Sequence, residues 1–214
     1  MTVTVIGAGL AGCEAAWQIA RRGVPVVFIE MKPKKKTPAH SSDLFSELVC
    51  SNSLKAARVE SAAGMLKQEM RMLSSLLMEC ADSCAVPAGG ALAVDRLLFS
   101  RMVTEKIKAH PLIKIREEEI VSLPRDGVRV VATGPLTSGA LAADIAGRFG
   151  GSLSFFDAAA PIVTRDSIDM ERAFCASRYD KGGDDDYINC PMNKEEYEAF
   201  YEALIQAERA PLHD

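Results

Sequence analysis

A glycine-rich turn between two short apolar runs constrains the fold more than any other part of this sequence. Residues 3–6 are mainly apolar and lead into Gly-Ala-Gly-Leu-Ala-Gly at 7–12. Good helix formers fill residues 13–22, and a second apolar run at 26–29 ends at Glu30. This order predicts a strand, a tight turn, a helix and a second strand that ends in an acid.

The residue types in the turn predict that it binds a dinucleotide. Gly7 permits a tight turn, Gly9 lets backbone amides approach a pyrophosphate, and Gly12 lets the helix pack on the strand. A diphosphate would then lie at the positive end of the helix. Glu30 follows at close to the ~20-residue spacing of the acid that binds an adenosine ribose. The predicted cofactor-binding residues are Gly7, Ala8, Gly9, Leu10, Ala11, Gly12 and Glu30; the alternative is a glycine turn without a ligand.

A basic loop follows the second strand. Lys32, Lys34, Lys35 and Lys36 lie between Met31 and Thr37, and two prolines interrupt regular structure there. One interpretation is a solvated run of charge. The other is attraction of phosphate from a cofactor or an RNA backbone, and the sequence favours neither.

Cys50 is the candidate reactive residue. It stands between the apolar pair 48–49 and the small polar residues 51–53, which indicates a loop. Basic residues and hydrogen-bond donors nearby would favour a thiolate, with Asn52 and Ser53 as its expected supports. The alternative is a small buried hydrophobic residue, which is the commoner role of a single cysteine.

The remaining pattern predicts a doubly wound α/β fold. Its elements are a long helix at 59–84, a helix capped by Asp95 with Leu98, Phe99, Met102, Val103 and Ile107 buried, strands at 113–115 and 127–132, and a helix at 137–149. The turn Ala132-Thr133-Gly134 could bring amides against a flat cofactor, and Gly89-Gly90 indicates unusual backbone angles, close approach of a ligand, or a plain turn.

The character of the sequence changes near residue 152. We therefore predict an incomplete Rossmann-like domain at 1–151 and the start of a smaller α+β second domain at 152–214. A last helix is expected at 194–207, with Asn193 and Glu196 in a capping arrangement.

Composition excludes several classes of protein. A net charge of −4 argues against bulk electrostatic binding of nucleic acid, so RNA contact would need a local basic patch. Six scattered cysteines without a CxxC pair indicate reduced thiols in the cytoplasm, and Cys80 and Cys84 share a helix face typical of core. No apolar run suits a signal peptide or a membrane span. The histidines at 40, 110 and 213 lack a ligand spacing, so no metal site is expected.

Seven stretches in order resemble one bacterial family. They are VIGAGLAGCEAAWQIARRG, ELVCSNSLK, VPAGGALAVDR, ATGPLTS, DAAAPIV, SRYDKG and YINCPMN. Together they are similar to the methylenetetrahydrofolate–tRNA-(uracil-5-)-methyltransferases, which are related to the tRNA-modifying flavoprotein GidA (MnmG). The second and third stretches are far more specific than the glycine turn.

The resemblance implies an enzyme with FAD at the glycine turn. Such enzymes take a methylene group from methylenetetrahydrofolate, place it on carbon 5 of a uridine in the tRNA T loop, and use flavin reduced by NAD(P)H to finish the methyl group. Cys50 matches the cysteine of the family's LVCSNS motif, which the resemblance places at the flavin. The four lysines become candidates for tRNA phosphate contact.

Family members are roughly twice as long as this chain. A second catalytic cysteine is expected beyond residue 214, and Cys190 does not take its place. The early stop motivates one alternative, a non-catalytic nucleotide-binding fragment. A second alternative is a different flavoprotein of the GidA type.

Overall fold

A parallel sheet with helices on both faces forms the amino-terminal part of the protein. The computed structural model describes residues 1–150, 163–177 and 185–208. The strands of this sheet are β1 (Val3–Ile6), β2 (Val26–Glu30), β6 (Ile113–Glu117) and β7 (Val128–Val131). The other elements up to residue 150 are α1 (Leu10–Ala20), β3 (Ser53–Ala56), α2 (Ala62–Met72), α3 (Leu76–Ser83), β4 (Ala85–Val86), β5 (Ala91–Val94), α4 (Arg96–Ala109) and α5 (Gly139–Phe149).

The sheet changes direction at β1. Its spatial order is β6-β2-β1-β7, and each neighbouring pair is parallel. The chain thus runs outward from β1 to β2, continues to β6, and then returns to pair β7 with the free side of β1. In open α/β sheets such a switch point leaves a crevice beyond the carboxyl ends of the strands.

Alternation along β1 divides the core between the two faces of the sheet. Val3 and Val5 pack in a large cluster with Phe28 of β2 and Phe99 of α4. The next residue, Ile6, joins a smaller cluster on the other side with Leu123 and Leu141, the latter from α5. Successive strand residues point to opposite faces of the sheet. Both faces therefore carry apolar side chains, and helices cover both of them. The predicted α/β class is confirmed.

The predicted helix at 59–84 is wrong, because two helices occupy this segment. Ser74 adopts a positive φ of 55° between α2 and α3. The Ser75 side chain then accepts the Met78 N–H and caps α3. Serine competes with helical hydrogen bonds in this way, which the apolar spacing does not reveal. Of the predicted stripe, Leu66 and Leu73 are 57% and 65% exposed, whereas Leu77, Cys80 and Cys84 are buried.

Helix α4 follows its prediction more closely. The Asp95 side chain accepts the Leu98 N–H as its cap. Phe99, Val103 and Ile107 are buried, but Leu98, expected on that face, is exposed. The small antiparallel sheet β3-β5-β4 was not predicted, since its strands are two to four residues long.

The chain divides into two compact units. One consists of Met1–Val86 and Ala91–Leu153, the other of Pro87–Gly90 and Ser154–Asp214. The described part of the second unit contains a 3-10 turn (Arg165–Ser167), the paired strands β8 (Phe174–Cys175) and β9 (Ile188–Asn189), and α6 (Lys194–Gln206).

The second unit also includes the two-glycine turn. Gly89 has a φ of +56°, and Tyr187 Oη donates to the Ala88 carbonyl at 2.6 Å. The motifs at 157–162 and 178–184 lie outside the described residues. Among the helices that the structure describes, none is both long and apolar enough to cross a bilayer.

Candidate functional site

The turn between β1 and α1 leaves no room for side chains at two of its glycines. Gly7 has a φ of +98°, and a Cβ there would lie 2.6 Å from the Ala132 carbonyl oxygen. A Cβ on Gly12 would lie 1.8 Å from the Gly7 carbonyl oxygen. Gly9 has no atom within 4 Å of its Cβ position. The turn is therefore packed tightly against the end of β7 at Gly7 and within itself at Gly12, whereas the space beside Gly9 is free of other protein atoms.

The open side of the turn faces a cavity of about 330 Å³ at the switch point of the sheet. The carboxyl ends of β1 and β2 line it together with the residues that follow β1, β2 and β7: Ile6, Gly7, Ala8, Gly9, Leu10, Ala11, Ile29, Glu30, Met31, Lys32, Ala132, Thr133 and Gly134. Of the residues that the sequence assigned to one site, residues 7–11 and Glu30 meet at this cavity. Gly12 does not line it, because it packs behind the turn. The cavity is within the size range of small-molecule sites.

Helix α1 begins at this cavity without a capping side chain. Its N-cap is Gly9, and its first turn has no acidic residue. The first N–H groups of a helix lack partners within the helix and carry a partial positive charge. Residues before α5 also line the cavity, and the Ser138 side chain makes no capping hydrogen bond. Two helix amino termini therefore present an environment that favours an anion.

Glu30 connects the second strand to the turn. Its Oε2 accepts the Ala8 N–H at 2.7 Å and its Oε1 accepts the Lys32 N–H at 3.0 Å. The residue is buried and lines the cavity. The acid at the end of β2 thus holds the glycine turn in position.

His40 and Glu47 line the cavity but were not assigned to the site from the sequence. His40 Nδ1 lies 2.7 Å from Thr37 Oγ1. Burial and the charge of Lys32 lower the pKa of His40, so the ring is neutral at pH 7. No local pattern marks either residue, because the fold of the loop after β2 brings them to the cavity.

The basic loop is less available to phosphate than its sequence suggests. Lys32 is buried and pairs with Glu47, so its predicted contact with tRNA phosphate is wrong. Lys35 pairs with Glu119 and Lys36 with Asp43, both at 2.7 Å and at the surface. Lys34 is exposed.

Cys50 is exposed, unlike the buried cysteines of the same unit. Its expected supports are directed elsewhere: Asn52 Nδ2 donates to the Val94 carbonyl at 3.1 Å, and Ser53 Oγ accepts the Lys55 N–H. That part of the prediction is wrong, since β3 and β5 use these groups.

The buried thiols are held in their protonated form. Burial raises the pKa of Cys13 to about 12 and that of Cys80 to about 11. Cys84 is also buried, and burial raises its pKa too. Because the thiolate is the nucleophile, these three residues are unreactive at neutral pH.

Comparison with known proteins identifies what the chain resembles. The family profile described as "Glucose inhibited division protein A" matches residues 2–214. A protein of Acetivibrio thermocellus named methylenetetrahydrofolate–tRNA-(uracil-5-)-methyltransferase TrmFO is 61% identical over 99% of this chain and 49% of its own length. A protein of Pelotomaculum thermopropionicum with the same name is 60% identical over 98% of this chain and 48% of its own length. The chain thus spans about half the length of these relatives.

Among solved structures, Aquifex aeolicus GidA matches with a TM-score of 0.47 and 18% identity, over 58% of this chain and 20% of that one.

Proposed function

Since the chain belongs to the family described as glucose inhibited division protein A, we propose that it is the amino-terminal half of a flavin- and folate-dependent enzyme that methylates carbon 5 of a T-loop uridine in tRNA. The names of the relatives that match nearly all of this chain support the reaction and its folate. The T loop, NAD(P)H and a cytoplasmic setting follow from the resemblance of the motifs. We assign residues 1–151 to an incomplete FAD-binding domain and 152–214 to the beginning of an inserted one.

The observation that carries the proposal is the cavity at the switch point. The open backbone at Gly9 and the uncapped amino terminus of α1 fit a diphosphate. Glu30 lies at the end of β2, where an acid binds an adenosine ribose in dinucleotide sites. Leu10 and Ala11 also line a second, mainly apolar groove of about 760 Å³.

When bound, FAD reduced by NAD(P)H supplies the reducing equivalents that turn a methylene group from methylenetetrahydrofolate into a methyl group. The chain's own residues bind and orient: the turn 7–12 holds the diphosphate, and Glu30 holds the ribose while fixing the turn through Ala8. The apolar residues of the cavity exclude water from the bound nucleotide. Cys50 is the thiol that we assign to the uracil ring, because its exposed position lets a large substrate approach it.

An alternative is a nucleotide-binding fragment that catalyses nothing. Both interpretations require that the chain binds flavin. Titration of the purified chain with FAD, followed by the visible absorbance of the flavin, tests this step. We expect a bound-flavin spectrum, and about tenfold weaker binding for Glu30→Gln because one charge-assisted hydrogen bond to the turn is lost. No bound flavin at excess FAD would contradict both interpretations for this chain.

Methylation then separates the two. The chain with FAD, NADPH and methylenetetrahydrofolate is incubated with full-length unmodified tRNA, with Cys50→Ser as the control. A methylated T-loop uridine that depends on Cys50 supports the enzyme. Flavin binding without methylation supports the fragment, and modification at another tRNA position supports an enzyme of the GidA type.

A further inference from the structure

A buried ion pair lies between the nucleotide cavity and the segment that carries Cys50. Lys32 Nζ and Glu47 Oε2 are 3.5 Å apart, and their side chains are only 3% and 8% exposed. A buried charge is costly unless it is paired and hydrogen-bonded. Both partners meet that condition, since Lys32 Nζ also donates to the Leu44 carbonyl, and Glu47 Oε1 accepts from Ser41 and Ser42.

Glu47 is charged at neutral pH despite its position. Burial acts to raise its pKa, but the donors of Ser41 and Ser42, together with Lys32, hold the pKa of Glu47 below its ordinary value. Its carboxylate therefore closes the loop 41–47 on itself and anchors that loop to Lys32.

Hydrogen bonds connect the segments that carry this ion pair to Ala8 of the glycine turn, through both the N–H and the carbonyl of Ala8. The Lys32 N–H donates to Glu30, whose other oxygen accepts the Ala8 N–H at 2.7 Å. From the opposite direction, the Ser46 N–H donates to the Ala8 carbonyl at 2.8 Å. The loop that contains Glu47 is thus hydrogen-bonded to the turn that faces the cavity.

Cys50 lies on a short exposed span between two fixed points. Leu48 is buried on one side. On the other, the Val94 N–H donates to the Asn52 carbonyl at 3.0 Å, and the Asn52 side chain donates back to Val94. A span this short has little conformational freedom once both of its ends are held. The position of Glu47 therefore limits where the thiol of Cys50 can lie.

We propose that Glu47, through its buried ion pair with Lys32, is a positioning residue that couples occupancy of the nucleotide cavity to the placement of Cys50. The coupling rests on the proposed function, because it requires a nucleotide beside the turn. By reciprocity, a nucleotide that favours one arrangement of the turn favours one placement of Cys50.

The test compares Glu47→Gln with Asp43→Asn, which makes the same acid-to-amide change in the same loop but in the exposed pair with Lys36. Iodoacetamide alkylation of the whole chain is followed for each cysteine by mass spectrometry. Cys175 and Cys190 are exposed and monitor the reagent, while Cys13, Cys80 and Cys84 are buried and report unfolding. The probe is ADP, which carries the half of the cofactor assigned to the glycine turn and does not include the flavin ring.

In the wild type and in Asp43→Asn, saturating ADP is expected to change the Cys50 alkylation rate at least about fivefold. In Glu47→Gln, ADP still binds, the buried cysteines stay protected, and the effect on Cys50 falls below about twofold. Amide exchange at residues 49–51, measured without nucleotide, is expected to be about tenfold faster in this variant only.

The outcomes separate this coupling from the proposed function. If the wild type binds neither ADP nor FAD, the proposed function and the coupling both fail. If ADP binds and Glu47→Gln leaves its effect on Cys50 and the exchange at 49–51 unchanged, the coupling alone is overturned. Should Glu47→Gln expose the buried cysteines, Ser41→Ala replaces it, since this variant removes only one donor to Glu47 and is expected to give the same changes at smaller size.

Discussion

Helices α1 and α6 begin in opposite ways. At α6, the Asn193 side chain accepts the Glu196 N–H at 2.8 Å, and the Glu196 side chain accepts the Asn193 N–H at 2.9 Å. At α1, Gly9 provides no capping side chain and the first turn has no acid. The exposed helix thus uses its own residues to satisfy its first N–H groups, whereas the buried helix leaves them directed at a cavity.

The difference indicates which helix terminus is available to a ligand. Ser61, Ser75 and Asp95 also cap their helices with side chains. The two described α-helices without such a cap, α1 and α5, are those whose amino-terminal residues line the 330 Å³ cavity. Capping stabilises a helix, so leaving two of them uncapped at one place is consistent with a binding role there.

The largest effect is expected from Gly12→Ala, which tests whether α1 can keep its position on the turn. The added methyl group would overlap the Gly7 carbonyl, a backbone atom that cannot move alone. We expect a loss of about 3 kcal/mol in the free energy of unfolding, measured in urea. Gly9→Ala is the control, with a change under about 1 kcal/mol because its Cβ position is open. Equal losses for both would contradict the packing role of Gly12.

Gly9→Asp would give α1 a capping side chain at its amino terminus. Its carboxylate would accept the first N–H groups and repel a diphosphate. We expect flavin binding to weaken about a hundredfold, or ~2.7 kcal/mol, with no loss of stability. Gly9→Asn caps without a charge, so the difference between the two variants isolates the repulsion. Unchanged flavin affinity in Gly9→Asp would show that no anion binds at this helix.

Asn193→Ala makes the reverse change at α6. Loss of the capping side chain is expected to cost about 1 kcal/mol, seen as faster amide exchange in the first turn of this helix. Ser138→Ala at α5 is the matched control, because that serine makes no side-chain capping bond. A similar loss at both positions would mean that the described cap does not stabilise α6.

The smallest effect is a pH dependence of α6. The Asn193 N–H, followed by Arg172, lowers the pKa of Glu196 below its ordinary value of 4.5. In the acid range, Glu196 therefore binds a proton more readily in the unfolded chain than in the folded one. The stabilisation by ionised Glu196 is complete above its ordinary pKa and is lost as the pH falls through its lowered pKa in the folded state. Circular dichroism should show this loss in the wild type and not in Glu196→Gln. A loss of equal size in both would assign the pH dependence to another group.

Prediction from sequence succeeded where the signal is local. The strand–turn–helix–strand order up to Glu30, the Asp95 cap and the Asn193–Glu196 capping box all depend on residues within a few positions of one another, or on one short βαβ unit. It failed where two local signals competed. Apolar spacing favoured one helix at 59–84, but Ser74 and Ser75 end α2 and begin α3.

Site residues divide in the same way. The spacing of Gly7, Gly9 and Gly12 indicated the turn. At Gly7 and Gly12 the reason is steric, because only glycine fits a positive φ or a contact with a backbone atom. Lys32 looked like an exposed cation in a basic run, yet it is buried against Glu47, fifteen residues later in the chain. Asn52 looked like a partner for Cys50, but pairing of β3 with β5 directs it to Val94.

The sequence by itself determined the βαβ unit, the α/β class, the family and the residues of the turn, because steric limits on the backbone and local hydrogen bonds are encoded over short distances. Only the tertiary structure decided that β7 returns beside β1 to form the cavity, that His40 and Glu47 reach it, and that Lys32 holds the loop before Cys50. These arrangements depend on contacts between residues distant in the chain, and burial changes what each charged group can do.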